Sequence, residues 1–202
     1  MKERIFIEKA KDQVSLEEFV RAKFHEAKTG MIEIQYTPIV TRIIIYTVTP
    51  GLIVGSGGER IRETVEELKA KFKIKNPQID VQRIENQFLD PYVVAQSIAQ
   101  QLERGTNFRR LGEFYISKIM QSGAIGCELV VSGKVSGQRS RTERFRAGYL
   151  KKCGDPALKD VMKGFALANP KLGNIGVKVS IMMRHNEVVQ TAINRMEAAE
   201  SK

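Results

Sequence analysis

Cysteine and histidine are scarce in this chain of 202 residues, which has only Cys127, Cys153, His25 and His185. The cysteines form no CxxC pair, and the four residues do not cluster at the spacing that zinc ligands require. We therefore predict no metal site, and we interpret the cysteines as thiols in a reducing compartment rather than as a disulfide framework.

Long hydrophobic runs are also missing, because no stretch of apolar residues is long enough to span a bilayer. The first residues, MKERIFIEKAKDQ, carry too much charge for a secretory signal. These absences predict a cytoplasmic protein without a membrane partner.

Acidic residues are too few to balance the basic ones. Lysine and arginine number 33 against 23 aspartates and glutamates, a formal net charge of +10, and the pI is near 9.7. Such an excess favours a polyanionic partner, with nucleic acid the first candidate and an anionic membrane the second. A merely soluble basic protein remains the alternative at this point.

Glycine is concentrated in one short stretch, GSGG, which consists of Gly55, Ser56, Gly57 and Gly58. A dinucleotide fingerprint would need a third glycine where Arg60 stands, and no Gly-Lys-Ser/Thr occurs for a Walker loop, so we predict no nucleotide cofactor. Two interpretations stay open. A sugar-phosphate backbone lies against the bare main chain, or the turn joins two helices and binds nothing. In the first, bases rest on an apolar surface formed by Leu52, Ile53 and Ile61.

Periodicity predicts helix, strand, strand, short apolar segment, helix and strand in the first half. A capping box at 15–18 predicts the start of the first helix, and Gly30 its end. The runs MIEIQY and TRIIIYTV predict the two strands, the second covered on both sides at Ile43–Ile45. The helix after GSGG turns inward Ile61, Val65, Leu68 and Phe72, and a third strand contains Ile79, Val81 and Ile84.

In the second half, Asp90 and Asn107 are predicted to cap two helices. Alternation in GCELVVSGKV and NIGVKVSIMM predicts strands, with Ser136-Gly137 as a hairpin turn after the first. Between them, GDPALKDVMKGFALANPKLG is interpreted as a strand followed by a helical turn. The inward residues of the last strand are predicted to be Ile175, Val177, Val179, Ile181 and Met183. We expect domains at 1–86 and 87–186 and a polar, helix-capable tail at 187–202 that frays.

A basic segment runs from Lys134 to Lys152 and holds seven cations against one acid, Glu143. On a strand, Arg144 and Arg146 share a face with Thr142 and Ser140, so a hairpin could gather the cations on one rim. Arginine suits phosphate because its fork offers paired donors. We predict that the segment contacts nucleic acid, and the alternative is a solvated basic face. We name its seven cations the basic rim: Lys134, Arg139, Arg141, Arg144, Arg146, Lys151 and Lys152.

The stretch VGSGGERI, residues 54–61, resembles the signature of the KH family, and the order of elements around it resembles the type II form. This resemblance implies a loop that clamps about four backbone nucleotides of a single strand. Many such loops carry Lys or Arg at the two middle positions, where this chain has Ser56 and Gly57. The resemblance therefore leaves the charge to Arg60 and Arg62, and it gives the RNA-binding loop as Gly55, Ser56, Gly57, Gly58, Arg60 and Arg62.

Three pieces in order, GLIVGSGGERIRE, VVSGKVSGQRSRTERFRAGYLKKCGDP and GNIGVKVSIMM, resemble the universal small-subunit ribosomal protein three family in its archaeal or eukaryotic form. The resemblance implies an α+β fold. A type II KH domain, with a helix, two strands, two helices around the GxxG loop and a strand, precedes an α/β domain of two helices packed on a mainly antiparallel sheet.

The same resemblance implies a structural, non-enzymatic constituent of the small-subunit head in the cytoplasm, with no cofactor. Its implied partners are small-subunit rRNA, mRNA at the entry channel and neighbouring head proteins. Arg139 and Arg141 match the basic residues of the family at that entry, and Lys134 and Arg144 match by adjacency.

Two rival functions stay open. A free KH-type regulator would bind a defined single-stranded RNA without a ribosome. A DNA-cleaving repair enzyme would need an activated lysine or an acid–base pair, and the spacing marks out no such lysine.

Overall fold

The computed structural model describes residues 2–183 except 38, 39, 73, 75, 136 and 172, and it describes residues 2, 3, 5 and 9 by their backbone alone. The turn residue Ser136 and the tail 187–202 therefore lie outside the described residues. The chain divides into two compact units that meet in sequence between Glu85 and Asn86. None of the helices in the described part has the length and hydrophobicity needed to span a bilayer.

The first unit contains a three-stranded sheet. Its central strand β2 is antiparallel to β1 and parallel to β3. The elements follow the predicted order, and the short apolar segment is itself a helix, α2. Their bounds are α1 (Lys2–Lys23), β1 (Thr29–Tyr36), β2 (Thr41–Thr47), α2 (Pro50–Val54), α3 (Glu59–Phe72) and β3 (Pro77–Arg83), with 3-10 turns at His25–Ala27 and Ser56–Gly58.

The core of the first unit joins the helices to the sheet through the predicted apolar stripes. Leu16 and Val20 of α1 and Leu68 of α3 are buried together with the strand residues Ile43 and Ile45. Ile44, on the other side of β2, is buried as well. The predicted cover on both sides of this strand is therefore confirmed.

The predicted bounds of the first helix were wrong. The helix begins at Lys2, so Ser15 lies in its interior and is no N-cap, and it ends at Lys23. Gly30 instead belongs to β1. A local capping motif could not set the start because the preceding residues, KERIFIEKAKDQV, are mostly good helix formers.

The second unit is a four-stranded sheet with order β5-β4-β7-β6, in which all neighbouring strands are antiparallel. Both predicted caps are confirmed, since the Asp90 carboxylate accepts the Tyr92 N–H at 2.9 Å and the Asn107 side chain accepts the Arg109 N–H at 3.0 Å. The elements are α4 (Pro91–Glu103), α5 (Phe108–Gln121), β4 (Gly126–Gly133), β5 (Arg141–Gly148), α6 (Asp155–Lys159), β6 (Val161–Ala168) and β7 (Ile175–Met182).

Two helices cover one face of this sheet, α4 on β6 and β7 and α5 on β4 and β5. The contact is close at Gly164, where a Cβ atom would lie 2.3 Å from the Pro91 carbonyl oxygen of α4. Burial on this face raises the pKa of the Cys127 thiol, which is held there as a small apolar group. The predicted inward strand residues Leu129, Val131 and Val177 are buried in the same core.

The interpretation of the segment after β5 was wrong in its order, because the helix α6 precedes the strand β6. The cause is local: Pro156 stands in the first turn of α6, a position that favours helix initiation. Met183 was also misplaced. It lies beyond the end of β7 and is half-buried, whereas Met182 is buried, and strand alternation holds only within a strand.

Candidate nucleic-acid interface

The GSGG turn joins α2 to α3 and depends on glycine for its shape. Gly55 has φ 70° and ψ −172°, a region that essentially only glycine occupies. Gly57 has φ 61° and ψ 17°, in the left-handed region. The Gly55 N–H donates to the Gly51 carbonyl oxygen and so ends α2 with a main-chain hydrogen bond. The turn therefore presents main chain where other sequences would present side chains.

Arg60 supplies a cation to this turn and is itself held by it. A Cβ atom at Gly55 would lie 2.9 Å from the Arg60 Cγ, so the glycine leaves room for the arginine stem. The Arg60 Nη1 donates to the Leu52 carbonyl oxygen at 3.1 Å. The other predicted loop residues, Ser56 and Arg62, are exposed. One of the two predicted loop cations is thus held by a hydrogen bond, and the other is exposed on α3.

The predicted apolar surface beside the turn is smaller than expected. Leu52 is 44% exposed and Ile61 is half-buried, but Ile53 is fully buried in the core and cannot meet a base. The prediction for Ile53 was wrong because α2 is a helix, whose successive residues point in different directions. The surface reduces to Leu52 and Ile61.

Strands β4 and β5 form the predicted hairpin, and its register shows where the basic rim lies. Gly133 pairs with Arg141, Val130 with Arg144 and Glu128 with Arg146. Lys134 and Arg139 therefore lie in the connecting loop beside Arg141, whereas Arg144 and Arg146 lie along β5. Lys151 and Lys152 follow the other end of β5. The eight residues of this strand separate its two ends by about 24 Å. The structure brings together the three cations at the loop and separates them from the last two.

Acidic partners divide the basic rim further. Glu128 Oε1 lies 2.7 Å from the Arg146 Nε and 3.1 Å from the Lys152 Nζ. The Lys151 Nζ lies 2.9 Å from Asp160 Oδ2. The sequence count against a single acid missed Glu128 and Asp160, because one lies on the partner strand and the other beyond the segment.

These ion pairs shift the pKa values of Glu128 and Lys151. Partial burial raises the pKa of Glu128, but hydrogen bonds from Lys152 and Arg146 outweigh that effect and leave it below its usual value. The hydrogen bond to Asp160 raises the pKa of Lys151. By contrast, the other four members of the rim form no ion pair with a described residue: Lys134, Arg139, Arg141 and Arg144.

The structure adds two cations that the sequence analysis missed. Arg109 and Arg110 are exposed in the first turn of α5, where the helix dipole disfavours positive charge. The start of α5 lies beside the β4–β5 loop, because Phe108 and Lys134 line the same pocket of about 400 Å³. The signal available in the sequence was the pair of arginines so soon after the Asn107 cap.

Among the described residues, no group of three or more histidine, cysteine, aspartate or glutamate side chains could hold a metal ion.

Comparison with known proteins matches both units. Residues 15–87 match the family model for the KH domain, and residues 98–181 match that for ribosomal protein S3, C-terminal domain. The small ribosomal subunit protein uS3 of Methanocaldococcus jannaschii is 46% identical over 182 residues, 90% of this chain and 88% of the relative. Those of Methanoculleus marisnigri and Methanococcus maripaludis are 41% and 43% identical over 89% and 90% of this chain, and the matches cover 77% and 86% of those relatives.

Proposed function

This chain belongs to the small ribosomal subunit protein uS3 family, and from that premise we propose that its exposed loop cations line the mRNA entry channel in the head of the subunit. As a family member it is an RNA-binding structural component of the small ribosomal subunit in the cytoplasm, in a family without enzymatic activity. Ribosomal RNA and other ribosomal components are its partners. The predicted family, the α+β fold class and the non-enzymatic role are confirmed.

The observation that carries the entry-channel proposal is the state of Arg139 and Arg141. Both side chains are exposed at the end of the β4–β5 hairpin, and neither forms an ion pair with a described residue. Lys134 lies at the same end. Guanidinium groups stay charged and offer paired donors to phosphate oxygens, so this end of the hairpin suits an RNA backbone.

The GSGG turn has a second, weaker part in the proposal. Its main chain is open to a sugar-phosphate backbone, but its middle positions carry no charge and Arg60 is already bonded to Leu52. We assign it to the RNA path by shape, and we assign most of the electrostatic attraction to the hairpin loop.

The mechanism is electrostatic and mechanical. The loop cations hold a single strand of the message by its phosphates at the channel entry. A duplex is too wide to follow the strand inward, so it opens when translocation pulls the message. The protein contributes position and charge, and the translocating ribosome contributes the work.

Translation through a stable hairpin tests this proposal. Small subunits carrying Arg139→Ala with Arg141→Ala should pause longer at the hairpin and should read an unstructured message at the normal rate. Arg146→Ala with Lys152→Ala is the matched control, because it also removes two positive charges but takes them from Glu128. Equal pausing in wild-type and Arg139/Arg141 subunits would contradict the proposal.

A further inference from the structure

Most of the face of the second sheet opposite α4 and α5 is exposed within the part of the chain that the structure describes. Because paired residues of antiparallel strands share a face, the register of the four strands defines its members. The row of this face at one end of the strands contains the buried residues Gly126, Val161 and Met182, whereas none of the remaining residues is buried. We name them the open face: Thr142, Arg144 and Arg146 of β5, Glu128, Val130 and Ser132 of β4, Gly176, Lys178 and Ser180 of β7, and Lys163, Phe165 and Leu167 of β6.

The charge of the open face is positive and largely uncompensated. Its one acid, Glu128, is held by Arg146 and by Lys152. Among the described residues, no acid pairs with the other three cations of the face, Arg144, Lys163 and Lys178. The face therefore attracts anions and not cations.

An aromatic ring lies within this charged surface. Phe165 is 51% exposed on the edge strand β6, directly opposite Lys178. Its ring leans over β7, where a Cβ atom at Gly176 would lie 3.5 Å from the Phe165 Cε2. Gly176 thus leaves space for a flat ring beside the lysine. Leu167, two residues along the same strand, is also 51% exposed, so the ring belongs to a small apolar patch within the charged surface.

One row across the sheet combines an aromatic ring with two cations, the two kinds of group that bind single-stranded RNA. From edge to edge it reads Phe165, Lys178, Val130 and Arg144. Three strand spacings give the row a width of about 14 Å. Four-stranded sheets covered by helices on one face bind two or three unstacked bases on their aromatic side chains in a common class of RNA-binding module.

We propose that the open face is a separate RNA-binding surface, on which Phe165 stacks a base of a single-stranded segment while Lys178 and Arg144 contact its phosphates. A protein partner that buried Phe165 would have to desolvate three cations and supply acids for them. A polyanion that also has flat apolar bases satisfies both demands. The proposal goes beyond the entry channel and does not depend on Arg139 or Arg141.

Photo-cross-linking to the purified full-length chain tests the surface directly. The probe is a short oligouridine that contains 4-thiouridine. We expect a cross-link within β6, and we expect Phe165→Ala to raise the RNA concentration for half-maximal yield by roughly 5- to 150-fold, the usual range for loss of one stacked base. Phe165→Tyr should keep the cross-link because it keeps the ring.

Phe114→Ala is the matched control, because Phe114 is 49% exposed on α5 of the same unit. It should leave the β6 cross-link unchanged. No cross-link in β6, or equal losses in the Phe165 and Phe114 variants, would overturn the proposal. A Phe165→Ala chain that binds RNA normally but enters small subunits poorly would also overturn it, and would assign the face to a neighbouring protein.

A charge variant keeps the test valid if Phe165→Ala unfolds the chain. Arg144→Ala with Lys178→Ala should lower the steepness of the log–log salt dependence of RNA binding by about 1.4, the value for two phosphate contacts of a single strand. Lys11→Ala with Lys69→Ala removes two exposed cations from the first unit and should change the slope little. An unchanged slope in the Arg144/Lys178 variant would count against the surface. The hairpin-pausing experiment uses other residues, so either proposal can fail alone.

Discussion

The GSGG turn and the β4–β5 loop both suit an RNA backbone, but for different physical reasons. The turn has a shape that only glycine allows at Gly55, and it contains no charge at its middle positions. The loop also contains a glycine at positive φ, Gly137, but it differs from the turn in its three cations, which are exposed and unpaired with described residues. Shape is insensitive to salt whereas charge is screened by it. Substitutions in the two places should therefore differ in their salt dependence as well as in size.

The largest effect is expected from Gly55→Ala. The side chain would force a strained conformation and would place its Cβ 2.9 Å from the Arg60 Cγ. We expect the free energy of unfolding to fall by about 1–3 kcal/mol, measured by urea denaturation. Gly51→Ala is the control, because it lies inside α2 with nothing within 4 Å and should stabilise slightly. Equal stabilities of the two variants would show that the turn tolerates a side chain.

Adding a positive charge to the GSGG turn tests whether the turn binds RNA more tightly when it also carries a cation. Ser56→Lys places a cation at an exposed middle position of the turn. We expect the affinity for single-stranded RNA to rise by up to about fivefold. The log–log salt slope should steepen by about 0.7, the value for one new phosphate contact. Ser117→Lys, on the exposed side of α5, is the control and should change neither quantity. If both lysines act alike, net charge and not the turn is responsible.

How far the sequence predicts the molecule can be judged from particular residues. Helix caps at Asp90 and Asn107 and the buried strands were predictable, because they follow from local chemistry and periodicity. The pairing of Arg146 with Glu128 was not, since it depends on which residues of two strands face each other. Ile53 was misread for a similar reason, because a five-residue helix shows too little periodicity to reveal which side is inward.

The smallest effect concerns Glu128, whose pKa lies below its usual value in the folded chain. Because the pKa of Glu128 is lower in the folded chain than in the unfolded chain, its ion pairs stabilise the fold at any pH above the unfolded pKa. This stabilisation disappears as the pH falls through the folded pKa. Glu128→Gln should therefore lower the free energy of unfolding at neutral pH by about 0.2–1 kcal/mol, the range for ion pairs at the surface, because both of its cations are about half exposed. Denaturation of both proteins across pH checks this, and a difference that grows on acidification would contradict it.

The central claim is that cations without acidic partners hold the RNA, and salt titration of RNA binding tests it most directly. If about five phosphates are contacted, the wild-type log–log slope for a single strand should be near −3.5. Arg139→Ala with Arg141→Ala should make the slope shallower by about 1.4, and Arg146→Ala with Lys152→Ala should change it clearly less because Glu128 already engages both residues. Equal changes in the two variants, or a flat wild-type response, would contradict the account.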